Sequence, residues 1–455
     1  MSTAIGIALV GFGTVGGATG LLLLEQREAI RNRTGIDLQL LYVVDKNLQH
    51  AKKMGISPSI MTESLDTALN DPKVHLIVEL VGGTGFAKEL MLKAFSAGKH
   101  VVTANKALLA IHGTELFQAA RKAGVSLAFE ASCGGGIPVV RALYDGLLAN
   151  TIDAIYGIVN GTCNYILTEM IQKDKSYEQA LLDAQAAGFA EADPTLDVSG
   201  GDSSHKICIM ASMAFGTPLD LDQIPVKGID SLATEDVLFG SEMGYVMKLI
   251  ASAVKGKRGV FVRVEPAFIP MDHPLAWVSG SFNAVSVYGN SVGHTMYYGR
   301  GAGGTPTASA VVSDILSIGI GSYPLQFNTI TCWPGQTEKQ QLQKPADIQR
   351  RYYIKLRVLD RPGNLGRITT VLGEKAISVS SIMQHEVPEI DEPDMEEAVS
   401  AHSEESSVPI VITTHRVKES LILNAIQEIE TLEGILPGTS VIPILDEHPE
   451  FRFLD

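Results

Sequence analysis

The chain has 455 residues, 45% hydrophobic and 19% charged, a balance typical of a folded globular protein of about three domains. Asp and Glu outnumber Lys and Arg by 51 to 36, and the resulting net charge of −15 argues against nucleic-acid binding. No apolar run reaches the roughly 20 residues of a membrane span; because the four cysteines also lack C-x-x-C spacing, we expect a reduced, cytoplasmic protein.

Residues 1–150 alternate short apolar runs with helical stretches. Strands are predicted at IGIALV, LQLLYVVD, HLIVEL, HVVTAN and VSLAFE, with helices at 16–31, 48–54, 86–97 and 106–123. Continuous apolar strands separated by helices are typical of a parallel sheet that is covered on both faces. The pattern predicts an α/β, Rossmann-type domain over residues 1–150.

A glycine-rich turn, Gly11-Phe12-Gly13-Thr14-Val15-Gly16, directly follows the first strand and opens a helix. Glycines at this spacing allow a tight turn and a close approach to a pyrophosphate, which indicates a dinucleotide cofactor, NAD or NADP. A purely structural glycine turn is the alternative. Asp45 ends the second strand, where a carboxylate accepts ribose hydroxyls and favours NAD. The adjacent Lys46 could instead cover the 2′-phosphate of NADP, and Asp45 could be a plain turn residue.

Two further charged side chains end later strands of this sheet. Lys106 follows HVVTAN at the carboxyl edge, where open α/β sheets bind ligands, although a helix-start lysine can also be merely solvated. Glu130 ends VSLAFE and precedes the glycine-rich loop 134–136. A carboxylate followed by inward carbonyls could hold a hard cation, whereas the glycines alone require only a sharp turn.

From residue 151 the pattern becomes one strand followed by helices at 161–172, 177–187 and 200–215. Strands GVFVRVEPAFI and FNAVSVYG and a helix at 305–317 come later. We predict an α+β substrate domain over 151–330.

The helix at 200–215 carries Asp202 and Lys206 one turn apart, so their side chains share a face. A surface ion pair is the plain interpretation. The apolar residues 207–210 instead indicate a buried helix, in which an unpaired ammonium would be costly. Glu191 lies in the preceding loop, where its carboxylate could pair with a substrate ammonium.

A polar stretch at 331–349 reads as a linker. Beyond it, residues 350–447 predict strands at YYIKLRVL, ISVSSIMQH, VPIVITT and SVIPIL with helices at 364–374 and 418–431. This is the ferredoxin-like βαββαβ order. Residues 386–405, between the second and third of these strands, hold nine acidic residues and no basic ones, which is typical of a solvated loop.

Four long motifs closely resemble those of the homoserine dehydrogenase family. They are VTANKALL at 102–109, GIVNGTCNYIL at 157–167, GFAEADP at 188–194 and YGRGAGGTPTA at 298–308. The resemblance extends from residue 1 to about 330 and implies that residues from about 300 to 330 complete the dinucleotide-binding domain. The region from 350 resembles an ACT domain, a small-molecule sensing module. Since the first strand begins at residue 4, we expect the single-activity form without an aspartate kinase module.

The resemblance implies NAD(P)-dependent interconversion of L-homoserine and L-aspartate 4-semialdehyde, in the biosynthesis of threonine, methionine and isoleucine. It makes Lys206 the proton donor and acceptor, with Lys106 beside it in the active site. We further expect each lysine to lower the pKa of the other. The residues that the resemblance assigns to homoserine are Glu191 and Asp202. We expect Asp197 to assist them, and Asp193 could either assist or be a turn residue. Those that it adds to the glycine turn and Asp45 for the cofactor are Thr103, Lys106, Gly188 and Gly303.

The resemblance also implies a monovalent cation, typically sodium. Its ligands would be Glu130 and the carbonyls of Cys133, Gly135 and Ile137, with the Cys133 thiol inert. Two residues depart from the usual family pattern without touching the proton chemistry: Phe189 stands where many relatives have Tyr, and Cys163 replaces a common Thr.

ACT domains commonly pair across subunits and bind amino acids there. We therefore expect a homodimer or homotetramer under allosteric feedback, with threonine as effector at the turn 360–365, whose N–H groups could grip a carboxylate. An ACT domain kept only for assembly is the alternative. For the whole chain, the rival functions are a catalytically silent NAD-binding amino-acid sensor and an enzyme acting on a related amino alcohol or semialdehyde.

Overall fold

The computed structural model describes residues 3–445 except 257–258, 334–335, 337–339 and 385–406. The acidic run 386–405 lies outside the described residues. The strands are β1 (Thr3–Val10), β2 (Ile36–Val44), β3 (Met61–Thr62), β4 (Val74–Glu79), β5 (His100–Thr103), β6 (Leu127–Ala128), β7 (Ile152–Ile158), β8 (Tyr245–Gly256), β9 (Gly259–Pro270), β10 (Phe282–Gly289), β11 (Gly293–Arg300), β12 (Gln349–Leu359), β13 (Val379–Gln384), β14 (Ser407–Thr414), β15 (Val417–Lys418) and β16 (Ile435–Ile444). The helices are α1 (Thr14–Glu25), α2 (Arg27–Thr34), α3 (Gln49–Lys53), α4 (Leu65–Asn70), α5 (Phe86–Ser96), α6 (Lys106–Lys122), α7 (Val139–Arg141), α8 (Gly161–Lys173), α9 (Tyr177–Ala186), α10 (Thr195–Val198), α11 (Gly201–Ala214), α12 (Thr234–Glu242), α13 (Gly304–Ile320), α14 (Ser322–Thr329), α15 (Asn364–Glu374) and α16 (Glu419–Ile429).

The first sheet has the strand order β3-β2-β1-β4-β5-β6, and all of its pairs are parallel. The apolar runs of β1 and β4 are almost wholly buried, as expected for strands with helices on both faces. This confirms the predicted Rossmann-like sheet. Helix α13, far along the chain, packs against α1 and returns residues 304–320 to this sheet.

Two local predictions in this region are wrong. The helix predicted at 16–31 is two helices, α1 and α2, which meet at Gln26. Helix α1 is apolar, whereas α2 buries only Ile30 and is held by an Arg27–Asp37 ion pair of 2.7 Å. Strand β6 is only two residues long, so Glu130 lies in the 3₁₀ turn that follows it and does not end the strand.

The second sheet runs β11-β10-β7-β8-β9-β16-β12-β14-β13, so the middle of the chain and its C-terminal region share one sheet. The joint is narrow: β9 and β16 are parallel, and within the described residues they pair only at Phe268 and Ile444. Strands β8 and β11 had not been predicted. The C-terminal elements β12, α15, β13, β14, α16 and β16 follow the predicted βαββαβ order, with the short β15 added.

The described part of the stretch 331–349 is not a free linker. Trp333 is fully buried and packs against Phe117 and Phe327, with ring centroids 5.9 and 5.2 Å away. Further on, Leu342 forms a bridge with Val260 on β9. This polar composition therefore marks a segment that lies along the molecule and crosses from one sheet region to the next.

Within the described residues, no single helix is long and apolar enough to cross a membrane. Helices α13 and α14 reach that length only as a pair, and they are bent by 83° at their junction.

Candidate active site

The glycine turn after β1 has the geometry that a dinucleotide needs. Gly11 has a φ of +93°, and a Cβ at Gly16 would lie 2.0 Å from the Gly11 carbonyl oxygen, so both glycines are required for the turn and helix packing. In the part of the chain that the structure describes, Gly13 has no atom within 4 Å of an added Cβ, and no side chain caps the first turn of α1. Open space and free N–H groups at a helix start suit a phosphate, so the turn fits the cofactor.

Asp45 is tied to this turn. Its carboxylate accepts hydrogen bonds from the Phe12 backbone N–H at 2.6 Å and from the Asn47 N–H at 2.8 Å. The bond to Asn47 is that of a turn residue, and the bond to Phe12 fixes the carboxylate beside the glycine turn. Asp45 thus has the alternative turn role as well as the position expected for contact with a ribose.

The neighbouring strand ends form a buried polar cluster that the sequence did not reveal. Glu79, at the end of β4, is fully buried and accepts hydrogen bonds from the N–H groups of Val81 and Gly82. It also accepts a 2.6 Å bond from the Thr103 hydroxyl, which in turn accepts from the Asn105 N–H. The Thr103 side chain is thereby committed to shaping the loop before α6, rather than free to bind the cofactor.

Lys206, Asp202 and Lys106 meet around one carboxylate. The Asp202 oxygens lie 2.7 Å from Lys206 Nζ and 2.9 Å from Lys106 Nζ, so α11 and α6 are joined through it. Lys206 also donates a 2.6 Å bond to the Val159 carbonyl, and its side chain is only 8% exposed. An ammonium has three donors, and among the described residues two are used. The third is available to a substrate oxygen.

The pKa of Lys106 is not shifted in the expected direction, which was for each lysine to lower the pKa of the other. Burial opposes the charge of Lys106, but the Asp202 carboxylate outweighs it and raises the pKa of Lys106 above its ordinary value. Burial also opposes the charge of Asp202, yet Lys206 and Lys106 outweigh it and hold the pKa of Asp202 well below its usual range. The intervening carboxylate therefore overrides lysine–lysine repulsion, and the expectation was wrong for Lys106.

Asn160 and Thr162, at the start of α8, hold the acidic side chains in place. The Asn160 amide donates to Asp197 at 2.8 Å and to Asp202 at 2.9 Å. The Thr162 hydroxyl lies 3.0 Å from Asp197 and 2.7 Å from the Phe189 carbonyl. Neither residue could be predicted from the sequence, because a neutral polar residue at a helix start indicates a cap, and Asn160 is indeed also the cap of α8.

The loop that carries Gly188 and Glu191 borders this cluster. Gly188 has a φ of +75° and is exposed, and Glu191 is exposed with no partner for its carboxylate among the described residues. Thr162 ties the loop to the buried acids through Phe189. Glu191 is thus available to a ligand ammonium, whereas Asp193 is used locally, accepting from the N–H and hydroxyl of Thr195.

Glu130 lies in a buried acidic pair. Its carboxylate accepts from the N–H groups of Val140 and Arg141, and its own N–H donates to Asp314 at 2.8 Å. Burial and the neighbouring charge raise the pKa of Glu130 to about 8, and burial raises that of Asp314 to about 7. Two buried carboxylates with Arg141 as their nearest cation form a site where added positive charge would be favourable.

The loop after Glu130 presents backbone to its surroundings. A Cβ at Gly135 would lie 2.6 Å from the Gly301 carbonyl carbon, so these two glycine segments touch. The Cys133 thiol is fully buried, and burial raises its pKa to about 12, as expected for an inert thiol. Among the described residues, no three His, Cys, Asp or Glu side chains form a metal-binding group, so any cation here would depend on carbonyls.

Gly303 and α13 connect the two parts of the site. Gly303 has a φ of +118° and precedes α13, whose first residue, Gly304, lies against Thr14 of the glycine turn. The carboxyl ends of β1, β4 and β5 lie at one edge of the parallel sheet, so the glycine turn and Lys106 share that edge. A glycine turn suited to phosphates lies beside Lys106, which shares Asp202 with Lys206 and its unused donor. This is the arrangement of a dinucleotide-dependent oxidoreductase.

Comparisons with known proteins agree with this class. The family model for homoserine dehydrogenase matches residues 138–316, and that for its NAD binding domain matches residues 11–130. The homoserine dehydrogenase of Pseudomonas aeruginosa is 40% identical over 94% of this chain and 96% of its own. The chain belongs to the homoserine dehydrogenase family, whose members are NAD(P)-dependent oxidoreductases.

Solved structures show the same likeness. A crystal structure of a homoserine dehydrogenase from Thiobacillus denitrificans has a TM-score of 0.88 and 37% identity, and the match covers 98% of this chain and 99% of that one. A hyperthermophilic archaeal homoserine dehydrogenase mutant in complex with NADPH is 26% identical, with a TM-score of 0.57 over 69% of this chain and 97% of its own.

Proposed function

We propose that this chain interconverts L-homoserine and L-aspartate 4-semialdehyde with Lys206 as the acid and base. The observation that carries the proposal is the buried Lys206 ammonium, fixed by Asp202 and the Val159 carbonyl with one donor left over. A related amino alcohol would need the same proton transfer, so the choice of homoserine rests on family membership. A silent sensor would have no use for this buried pair.

The proposed cofactor site consists of residues 11–16 and Asp45, with Gly188 and Gly303 at its border. When bound there, the nicotinamide supplies or accepts the hydride. The free N–H groups at the start of α1 would hold the phosphates, and Asp45 would face the ribose. The neighbouring Thr103 acts indirectly, by keeping the loop before α6 in shape.

Lys206 Nζ is the atom that donates and accepts the proton. In reduction, the third Lys206 donor gives a proton to the aldehyde oxygen as that oxygen becomes a hydroxyl; in oxidation, the neutral amine takes it back. Lys106 stays charged because Asp202 raises its pKa, so it stabilises negative charge on the same oxygen. Asp202 positions both amines and keeps them apart.

The ammonium group of the substrate would pair with the carboxylates around the lysine site. Glu191 is the exposed carboxylate for the homoserine ammonium, and Asp197, held by Asn160 and Thr162, adds a second negative group. Steady-state kinetics with homoserine and each of NAD and NADP test this assignment. We expect Glu191→Gln to raise KM for homoserine more than it lowers kcat, while an unchanged KM would contradict the substrate contact.

We further propose a monovalent cation, sodium in kind, at Glu130 and the carbonyls of Cys133, Gly135 and Ile137. The support is the burial of Glu130 beside Asp314: burial disfavours the charged form of both carboxyls, and a bound cation would stabilise that form. In this role the ion would join the loop after β6 to the segment at Gly301 and so brace the cofactor side of the site.

For the C-terminal region we propose an ACT-type sensing role in a cytoplasmic homodimer or homotetramer, with threonine as the expected effector. Its support is the βαββαβ order and its continuity with the second sheet. Inhibition by threonine in the full chain, and its loss without residues 346–455, is the expected outcome. An unchanged threonine response in the shortened chain would rule out sensing there.

A further inference from the structure

Lys248 on β8 is a buried lysine that forms no ion pair with any described residue. It is 2% exposed, and its Nζ donates to the Asn164 side-chain oxygen at 3.0 Å and to the Val278 carbonyl at 2.5 Å. Lysines are almost never fully buried unless they are paired, and burial lowers the pKa of this one to about 8. An ammonium that is kept although burial disfavours it indicates that the two neutral oxygens it holds have a role.

The ammonium fixes how the Asn164 side chain is oriented. Since an ammonium has only donors, the Asn164 oxygen faces Lys248 and the Asn164 nitrogen is left for other acceptors. That nitrogen lies 2.9 to 3.2 Å from the carbonyl oxygens of residues 278, 280 and 282. The segment 278–282 is therefore tied to α8 through one amide group, whose orientation depends on Lys248.

Two further contacts hold this segment against the beginning of α8. A Cβ at Gly161 would lie 2.7 Å from the Ser281 carbonyl oxygen, so backbone meets backbone at the first residue of the helix. The Gly280 N–H donates to the Thr168 hydroxyl at 3.1 Å. The segment and the helix start are thus packed as one unit, and the Lys248 ammonium lies at its buried polar centre.

The same helix start holds the acids of the lysine site. Asn160, the cap of α8, lies one turn before Asn164, and its amide donates to Asp197 at 2.8 Å and to Asp202 at 2.9 Å. Asp202 in turn pairs with Lys206. A displacement of about 1 Å at a catalytic group can slow a reaction roughly 100-fold. The rate at the lysine site therefore depends on how firmly the first turn of α8 is held.

We propose that Lys248 is a positioning residue for the reaction at Lys206. Through Asn164 it fixes the first turn of α8, and that turn holds Asp202 beside Lys206. In this role Lys248 acts through these contacts and does not touch the substrate. The inference rests on the proposed function, because it gives Lys248 a part in that same reaction.

Lys99 offers a matched control, since it is also a buried lysine that donates to two neutral oxygens. It is 8% exposed, and its Nζ lies 2.9 Å from the Asp71 carbonyl oxygen and 2.6 Å from the Val74 carbonyl oxygen. These residues lie at the amino ends of β4 and β5, at the edge of the parallel sheet opposite to Lys106. Lys99→Met should therefore lower the melting temperature without affecting the lysine site.

Steady-state kinetics of the full chain test the proposal. In Lys248→Met we expect kcat for homoserine oxidation to fall roughly 10- to 100-fold, while the NADPH dissociation constant stays within about twofold of the native value. A residue that only stabilised the fold would lower the melting temperature and leave kcat per NADPH-binding molecule unchanged, which is the result expected for Lys99→Met. Native kcat in Lys248→Met, or an equal loss of kcat in Lys99→Met, would overturn the proposal.

Hydrogen exchange measured by mass spectrometry gives a readout that does not require turnover. The amides of residues 160–168 should exchange roughly tenfold faster in Lys248→Met and at the native rate in Lys99→Met. Native exchange in Lys248→Met would overturn the proposal. Absence of homoserine turnover in the native chain would instead refute the proposed function, and the exchange rates would still decide whether Lys248 holds the start of α8.

A second variant serves if Lys248→Met does not fold. Lys248→Gln replaces the charge with a neutral amide, which is less costly to bury. Because a neutral hydrogen bond is weaker than one from an ammonium, kcat should fall at least about threefold and residues 160–168 should exchange faster than in the native chain. Native kcat together with native exchange in Lys248→Gln would overturn the need for the ammonium.

Discussion

Asp202 is the residue on which the lysine site depends, because among the described residues it alone forms ion pairs with both amines. Its pKa is held below the ordinary 3.8, so the stability it contributes is present above that value and is lost as the pH falls through its folded-state pKa. At neutral pH it is a fixed anion. The sequence placed Asp202 and Lys206 on one helix face, but only the fold brings Lys106 to the other carboxylate oxygen.

Asp202→Asn should move the basic limb of the kcat/KM profile to lower pH. Without the anion, the burial that disfavours the Lys106 charge is no longer outweighed, so the pKa of Lys106 falls. Initial rates from pH 6 to about 11 check this. The control is Asp183→Asn, which removes an ion pair to Lys175 outside the site. A basic limb at the same pH in Asp202→Asn and the native chain would contradict the role of Asp202.

Sodium should raise the melting temperature of the native chain, with choline as the matched cation. A ligand that binds only the folded state at 100 times its dissociation constant stabilises by about 2.7 kcal/mol. In Glu130→Gln the sodium effect should disappear, whereas Glu169→Gln, which alters a lysine-paired carboxylate, should keep it. Equal melting temperatures in sodium and choline for the native chain would argue against the cation.

Among the elements, the turn between β1 and α1 contains two glycines that folding requires and one whose open surroundings suit ligand binding. Its three glycines have the same sequence signal but different surroundings, which only the structure distinguishes. Gly11 and Gly16 are enclosed by backbone, and Gly13 faces open space. The strand–turn–helix pattern could therefore be predicted from the sequence, while the different roles of its three glycines could not.

Gly13→Ala should fold normally but bind NADPH at least tenfold more weakly, because the new methyl group occupies space that the phosphates need. Gly16→Ala should instead destabilise the chain, since its Cβ would lie 2.0 Å from the Gly11 carbonyl oxygen. Thermal unfolding and NADPH fluorescence titration separate the two effects. Native NADPH affinity in Gly13→Ala would contradict the phosphate position.

Element prediction from the sequence succeeded where burial was uniform and failed where it was not. Strands β1, β2, β4 and β5 are largely apolar and largely buried, and the sequence predicts them. Strand β8 was missed: it carries Lys248, which is buried and bonded to Asn164 and the Val278 carbonyl, so its apolar pattern is interrupted. Asn160 and Thr162 could not be predicted for a different reason: their hydrogen-bond partners lie far away in the sequence.

At the scale of the whole molecule, the C-terminal region is bound to the catalytic part by specific buried contacts. Tyr353 on β12 is fully buried, its ring lies 4.8 Å from Phe268, and its hydroxyl lies 3.1 Å from Asp236. Lys355 adds an ion pair with Asp236. The sequence predicted the order of elements in this region but not that they extend the second sheet, because long-range strand pairing leaves little local signal.

Tyr353→Ala should uncouple the two parts in calorimetric unfolding. Loss of a buried aromatic ring costs on the order of 3 kcal/mol, so the C-terminal region should melt first and give a second transition. Tyr353→Phe keeps the ring, should lose about 1 kcal/mol, and should retain a single transition. One transition at the native temperature in Tyr353→Ala would show that the joint is unimportant for stability.

The most direct test of the account is single-turnover hydride transfer in Lys206→Met, followed by absorbance of the reduced nicotinamide. Removing the acid and base should slow turnover by about 10²- to 10⁴-fold while NADPH affinity stays within twofold of the native chain. The matched control is Lys175→Met, which should turn over at the native rate. Native hydride transfer in Lys206→Met would contradict the assignment of the proton to this amine.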